Sequence, residues 1–94
     1  MANKEHFSTE VKVLNELGLH ARPAAKLAQE AQKFAAMIKV SFGDREVDAK
    51  SILDILTLAA PCGSTLTLWA KGEDASEAVT HLSQLFAQRF GEEK

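Results

Sequence analysis

From Phe7 to Val13 the chain alternates, FSTEVKV, with Phe7, Thr9, Val11 and Val13 on one side. That is the period of a half-buried strand. Asn15 to His20 is then a loop, with Gly18 as its joint. From Ala21 the period lengthens. Ala24, Leu27, Ala28, Ala31 and Phe34 recur at helical spacing and form one apolar stripe. Pro23 suits the first turn, where its missing N–H costs nothing. Alternation returns from Met37 to Phe42, with Ile38, Val40 and Phe42 facing one way. Gly43-Asp44 signals a turn and Arg45 to Asp48 a short return strand, which together predict a hairpin. At Lys50-Ser51-Ile52-Leu53-Asp54 a second helix begins, with Ser51 as cap and Asp54 at the third helical position. Pro61 and Gly63 end it by Ala60. Ser64 to Lys71 is a fourth strand, with Leu66, Leu68 and Ala70 on one face and Thr65, Thr67 and Trp69 on the other. Beyond Gly72, Asp74 and Glu77 read as a second capping box. Ala78, Val79, Leu82, Leu85, Phe86 and Phe90 then make an amphipathic stripe, and Gly91 to Lys94 a polar, frayed tail.

The predicted order is β-α-β-β-α-β-α. Each helix has one apolar stripe and each strand one apolar face. The simplest architecture is an α+β pair of layers, with helices on one face of a mainly antiparallel sheet and the other face open. The chain has 94 residues, one domain's worth, and 46% of them are apolar, so a core is available without staples. The net charge of −2 is too small to point to nucleic acid or to a membrane surface. One cysteine, Cys62, builds no disulfide framework and suits a reducing compartment. No apolar run approaches a membrane span, and MANKEHFSTE lacks the apolar stretch of a secretion signal. A cytoplasmic protein without membrane insertion is expected.

The stretch GLHARPAAKLA, Gly18 to Ala28, is an odd way to begin a helix. Helix starts favour Ser, Thr, Asp or Asn, and the positive end of the helix dipole repels cations. His20 and Arg22 stand there instead. An anion resolves the conflict. Free helix-start N–H groups bind phosphate, Arg22 supplies a forked donor, and a neutral imidazole keeps a nucleophilic nitrogen at pH 7. Lys26, one turn on, reads as an ordinary solvated residue. Ser51 reads as a helix cap, and a phosphate on a capping serine interacts well with the helix dipole. Ile52, Leu53 and Leu56 cannot all face the core from so short a helix: either some form an exposed apolar patch, which would mark a docking surface, or they are mostly core. Cys62, His6 and His81 have no metal-ligand spacing, so no metal site is expected. His81 falls off the stripe of the last helix, and Trp69 points to the open sheet face.

With GLHARPA the chain resembles the histidine-containing phosphocarrier (HPr) family of the bacterial phosphoenolpyruvate-dependent sugar phosphotransferase system. Gly18 to Ala24 matches the family's active-site motif, and Ala49-Lys-Ser-Ile-Leu53 its regulatory serine region. The resemblance runs from about Phe7 to Phe90. It implies an HPr-like open-faced β-sandwich, with a four-stranded antiparallel sheet of order 1-4-2-3 and three helices on one face, as a single domain over 1–94 with loose ends at about 1–6 and 91–94. It implies that His20 accepts a phosphoryl group on Nδ1 from enzyme I and passes it to an enzyme IIA. Arg22 would steady that group. Ser51 would be the target of HPr kinase/phosphorylase, with a transcriptional regulator as a further partner. Ile52, Leu53 and Leu56 would form the docking patch. No cofactor is implied, and a monomer is expected. Asp54 departs from the glycine or lysine that many members carry there.

Other readings have less support. A nitrogen-branch phosphocarrier or a mainly regulatory paralogue would share these motifs. An acylphosphatase-like enzyme would nominate Arg22 and Asn15, but the loop spacing does not fit its phosphate cradle. Nothing in the sequence specifies a ligand for a purely sensory module.

Overall fold

The computed structural model describes residues 5–94. Its strands are β1 (His6–Lys12), β2 (Met37–Phe42), β3 (Arg45–Asp48) and β4 (Thr65–Lys71). Its helices are α1 (Ala21–Ala31), α2 (Ile52–Leu56) and α3 (Ala75–Ala87), followed by a 3-10 turn at Arg89–Gly91. The four strands form one antiparallel sheet of order β1-β4-β2-β3. Leu68 is paired with Thr9 on one side and Val40 on the other, and Val40 with Val47 beyond. Period-two alternation therefore carries across the sheet. Val11, Leu66, Leu68, Ala70, Ile38 and Val40 are buried under the helices. Leu27 and Ala31 of α1, with Leu82 and Phe86 of α3, supply the other half of the core.

The opposite face is left open, as the pattern predicts. Trp69 lies there half-buried, stacked on His6 at 5.9 Å between ring centroids, with the Lys39 ammonium 5.8 Å from its ring. A cation over an indole and an aromatic stack stabilise a surface that no helix covers.

Several boundaries differ from the sequence reading. α1 ends at Ala31, and Phe34 packs against the core from the following turn. α2 stops at Leu56, ahead of the Pro61 that was expected to limit it. α3 ends at Ala87, so Phe90 is not part of its stripe. Arg89 and Phe90 both take positive φ, 54° and 53°, an uncommon conformation for residues with side chains. The turn brings the Phe90 ring edge-on to Phe86, at 4.8 Å, and buries it.

The expected capping box at Asp74 is also corrected. Its carboxylate makes no cap hydrogen bond to α3. It accepts instead the backbone N–H groups of Ala35 and Ala36, at 2.9 and 2.8 Å. These bonds hold the carboxyl below its ordinary pKa, the Ala35 amide contributing most. Gly72 makes the approach possible, because a Cβ there would lie 3.0 Å from the Ala36 Cα.

Of the expected loose ends, residues 1–4 lie outside the described residues. His6 is already in β1. Within the other expected loose end, the Glu92 side chain contacts Asn15, His20 and Arg22.

Candidate functional site

β1 hands over to the loop without losing register. Val13 donates to the Ser64 carbonyl at 2.9 Å, and Gly63 donates back to Val13 at 2.7 Å. A turn closed by Gly18 N–H on the Asn15 carbonyl follows, at 2.9 Å. Gly18 sits at φ +75°, and a Cβ there would lie 2.6 Å from the Ala60 carbonyl oxygen. That same oxygen accepts the Leu19 N–H at 2.9 Å. Only glycine fits so close to another backbone in this conformation. Leu19 and Pro23 are buried on either side of the helix start, so the segment between them is fixed at both ends.

His20 is the N-cap of α1, in extended conformation, and its side chain makes no cap hydrogen bond. The Ala21 and Arg22 amides have no intrahelical acceptor, and Pro23 has no amide proton. His20 and Arg22 thus meet at a helix start that offers donors, as the sequence reading required. Lys26 is exposed one turn further on.

Glu92 is the part that reading missed. Its carboxylate lies where an anion was expected. Asn15 Nδ2 donates to Oε1 at 2.6 Å, and His20 Nε2 lies 3.3 Å from the same oxygen. Arg22 Nη1 is 3.7 Å from Oε2. The Asn15 hydrogen bond, then His20 and Arg22, hold the Glu92 carboxyl below its ordinary pKa against partial desolvation. An ionised carboxylate only accepts hydrogen bonds, so in a neutral His20 ring this contact pairs with the tautomer that carries its proton on Nε2 and leaves the Nδ1 lone pair over.

Asn15 is fully buried and also donates to the Arg89 carbonyl at 2.8 Å. Its Oδ1 is buried without a partner. Flipping the amide would set that oxygen against the carboxylate, so the donors fix its orientation. The asparagine was visible in the loop sequence, but neither its burial nor its partner 77 residues along the chain was.

An open groove of about 550 Å³ is lined by His20 and Arg22, by Phe90 and Glu92, and by Glu16 and Leu17. Leu17 is 75% exposed beside His20, a second residue the sequence reading left out, although an apolar side chain in a polar loop was there to be noticed.

Ser51 is the N-cap of α2, and its Oγ accepts the Asp54 N–H at 3.2 Å. The box is half-formed, because the Ser51 N–H goes to the Asp48 carbonyl at 3.1 Å. The neighbouring Lys50 carbonyl accepts from Gln32, the C-cap of α1, at 2.9 Å, and Lys50 Nζ donates to the Phe34 carbonyl at 2.7 Å. Ser51 therefore stands by the carboxyl end of α1 while His20 stands at its amino end. Between those two ends lie eleven residues of helix, about 16 Å of axis. The structure does not bring them into one site. Between them α2 turns Ile52 and Leu53 outward, 40% and 76% exposed. Ile55 is its buried contact, and Leu56 packs partly against the core rather than standing free.

Among the described residues no cluster of His, Cys, Asp or Glu has metal-binding form. Cys62 is exposed, with Sγ 3.8 Å from the Leu14 carbonyl. No helix of the described residues is long and apolar enough to cross a membrane.

Residues 7–88 match the protein family described as PTS HPr component phosphorylation site. The chain is 51% identical over 80 residues to the phosphocarrier protein HPr of Cupriavidus necator, covering 85% of this chain and 90% of that one. It is 41% identical over 83 residues to the phosphocarrier protein NPr of Shewanella violacea, covering 88% and 91%. Its fold superposes on a crystal structure of HPr from Thermoanaerobacter tengcongensis with a TM-score of 0.89 at 40% identity, over 94% of this chain and 99% of that one.

Proposed function

This chain belongs to the HPr family of phosphotransferase-system phosphocarriers, and from that premise we propose that His20 is its phosphoryl acceptor, charged by phosphorylated enzyme I and discharged to an enzyme IIA. One observation carries the choice of atom. Nε2 faces Glu92, whose carboxyl is held below its ordinary pKa, and that contact favours the tautomer with Nε2 as donor and Nδ1 as nucleophile. In the step, the Nδ1 lone pair forms the new P–N bond. The donor's P–N bond breaks, and its electron pair stays on the donor histidine. The proton on Nε2 need not move. The Ala21 and Arg22 amides and the Arg22 guanidinium then face the phosphoryl oxygens. Arg22 is 83% exposed, free to swing to the new group and to release it. Exposed, mobile donors suit a carrier, which must hold the phosphoryl group without trapping it.

The protein acts as a single-domain monomer in the cytoplasm in this reading, and it needs no cofactor. Ile52 and Leu53, with the outer edge of Leu56, are the docking face shared by its partners. Ser51 is the target of a serine kinase. A phosphate on its Oγ would meet the first-turn N–H groups of α2 that the hydroxyl already faces, so the helix would survive. Its charge would lie beside Ile52 and Leu53, and control would act on docking rather than on His20 at the far end of α1. A transcriptional regulator that reads phospho-Ser51 is a further partner of this class.

Incubation with enzyme I and labelled phosphoenolpyruvate tests His20, and incubation with HPr kinase and ATP tests Ser51. Acid-labile label lost in His20→Ala, and acid-stable label lost in Ser51→Ala, are the expected results. Acid-labile label that persists in His20→Ala rules the assignment out. The NPr match favours testing a nitrogen-branch IIA beside a sugar-branch IIA as acceptor.

A further inference from the structure

Glu92 holds the place and the partner that a phosphoryl group on His20 needs. Its two oxygens face Asn15 and His20 on one side and Arg22 on the other. We propose that Glu92 is a resident anion that competes with the phosphoryl group for Arg22, and so raises the phosphoryl-transfer potential of His20. This rests on the reading of His20 as the acceptor.

Two observations separate this arrangement from chance contact at a chain end. Asn15 is fully buried and ties both the Glu92 carboxylate and the Arg89 carbonyl, so the segment arrives at the site from a fixed base. Phe90 is buried between them at positive φ, which shapes the turn toward the site. The carboxylate is also better sheltered than its cationic partner, at 15% exposure against 83% for Arg22. Glu92 is the fixed member of the pair and Arg22 the movable one.

In the uncharged protein the carboxylate and the guanidinium balance each other. Phosphorylation brings more negative charge to the ring than the ring proton offsets, and it is placed beside a carboxylate that cannot move far. Arg22 has one planar fork, and its bidentate geometry serves one anion at a time. Turning it to the phosphoryl group leaves Glu92 without its cation. Keeping it on Glu92 leaves the phosphoryl group with backbone donors alone. Either way the phosphorylated state is less stable than it would be without the carboxylate, and onward transfer is favoured. The Nε2–H contact to Glu92 works the other way, since a phosphorylated ring is a stronger donor. At 3.3 Å it is the longer of the two hydrogen bonds on Oε1, so the charge effect is expected to win.

The test compares wild type with Glu92→Gln, which keeps an acceptor for Asn15 and removes the charge. Enzyme I is held with phosphoenolpyruvate and pyruvate at a fixed ratio, and the acid-labile fraction is read at equilibrium. An equilibrium constant for phosphorylation about fivefold higher in Glu92→Gln is expected, the size of one partly exposed charge interaction. The part of the gain that comes from competition for Arg22 should be lost in an Arg22→Ala background, leaving only the direct repulsion between carboxylate and phosphoryl group. Equal or lower constants for Glu92→Gln overturn the proposal. If neither protein takes acid-labile label, the His20 reading fails, and a titration with inorganic phosphate decides the role of Glu92 independently. Shifts of the Ala21 and Arg22 amide resonances should then report about fivefold tighter binding in Glu92→Gln. Equal affinity overturns the proposal.

Discussion

His81 on α3 places its Nε2 2.7 Å from Oε1 of Glu30 on α1, joining the two long helices. Glu30 is buried and also receives Lys33 Nζ at 2.9 Å. Lys33 chiefly, then His81, hold the Glu30 carboxyl below its ordinary value of 4.5, against desolvation. A carboxyl lowered in the folded state stabilises the fold above the unfolded-state pKa. That contribution is lost as pH falls through the lower, folded value. Glu30→Gln should cost about 1 kcal/mol at pH 7. The gap from wild type should close as the pH falls below 4.5. Urea unfolding at a series of pH values measures it, and a pH-independent gap would show that ionisation contributes nothing.

Gly18→Ala should be among the most damaging small substitutions. The added methyl meets the Ala60 carbonyl at 2.6 Å, at φ +75°. A loss of more than about 1 kcal/mol is expected, with the Leu19–Ala60 hydrogen bond strained as well. Thermal unfolding reads the loss, and phosphorylation by enzyme I shows whether His20 is displaced. A melting temperature unchanged from wild type would contradict the geometry.

Ser51→Ala and Ser51→Asp separate the cap from the charge. Alanine removes the acceptor of the Asp54 N–H and should cost about 1 kcal/mol. Aspartate is as good a cap and should leave stability near wild type while adding negative charge beside Ile52 and Leu53. Phosphoryl transfer should fall in the aspartate variant and hold in the alanine variant. Chemical denaturation and stopped-flow transfer assays give the two readings, and equal transfer in both would remove Ser51 from the docking face.

Arg22→Ala should leave stability within about 0.5 kcal/mol, because the side chain is 83% exposed. Transfer through His20 should slow about tenfold or more, the value of one charge-assisted hydrogen bond. Arg22→Lys should fall between, since it keeps the charge and loses the fork. Single-turnover transfer from phosphorylated enzyme I measures the series. A full-rate alanine variant would exclude Arg22 from the reaction.

Much of this was legible from local pattern. Alternation placed Leu66, Leu68 and Ala70 under the helices and Trp69 on the open face, because a strand's two faces follow from period two alone. Ser51 was legible as a cap because its partner is three residues away. His20 and Arg22 stood out because they break the rule for a helix start. Asp74 and Glu92 were misread for the opposite reason. Each looks locally ordinary, an acidic residue at a helix start and another in a polar tail. Their partners lie 38 and 77 residues away, and no spacing rule reaches that far. The end of α3 was missed because Phe90 keeps helical spacing while its backbone turns to positive φ.

The sheet's two ends are unlike. At the end where Lys71 pairs with His6 and Met37, the Asp74 carboxylate grips the Ala35–Ala36 backbone and Gly72 lets the chains close. The other end, where Lys12 pairs with Thr65, leads into the loop that carries His20. Substitutions far apart and without shared partners add independently. The stability that the clasped end supplies is therefore separable from the chemistry proposed for the other end. The clasped end can gain or lose strength through drift or by engineering, and the transfer rate proposed for the other end need not follow.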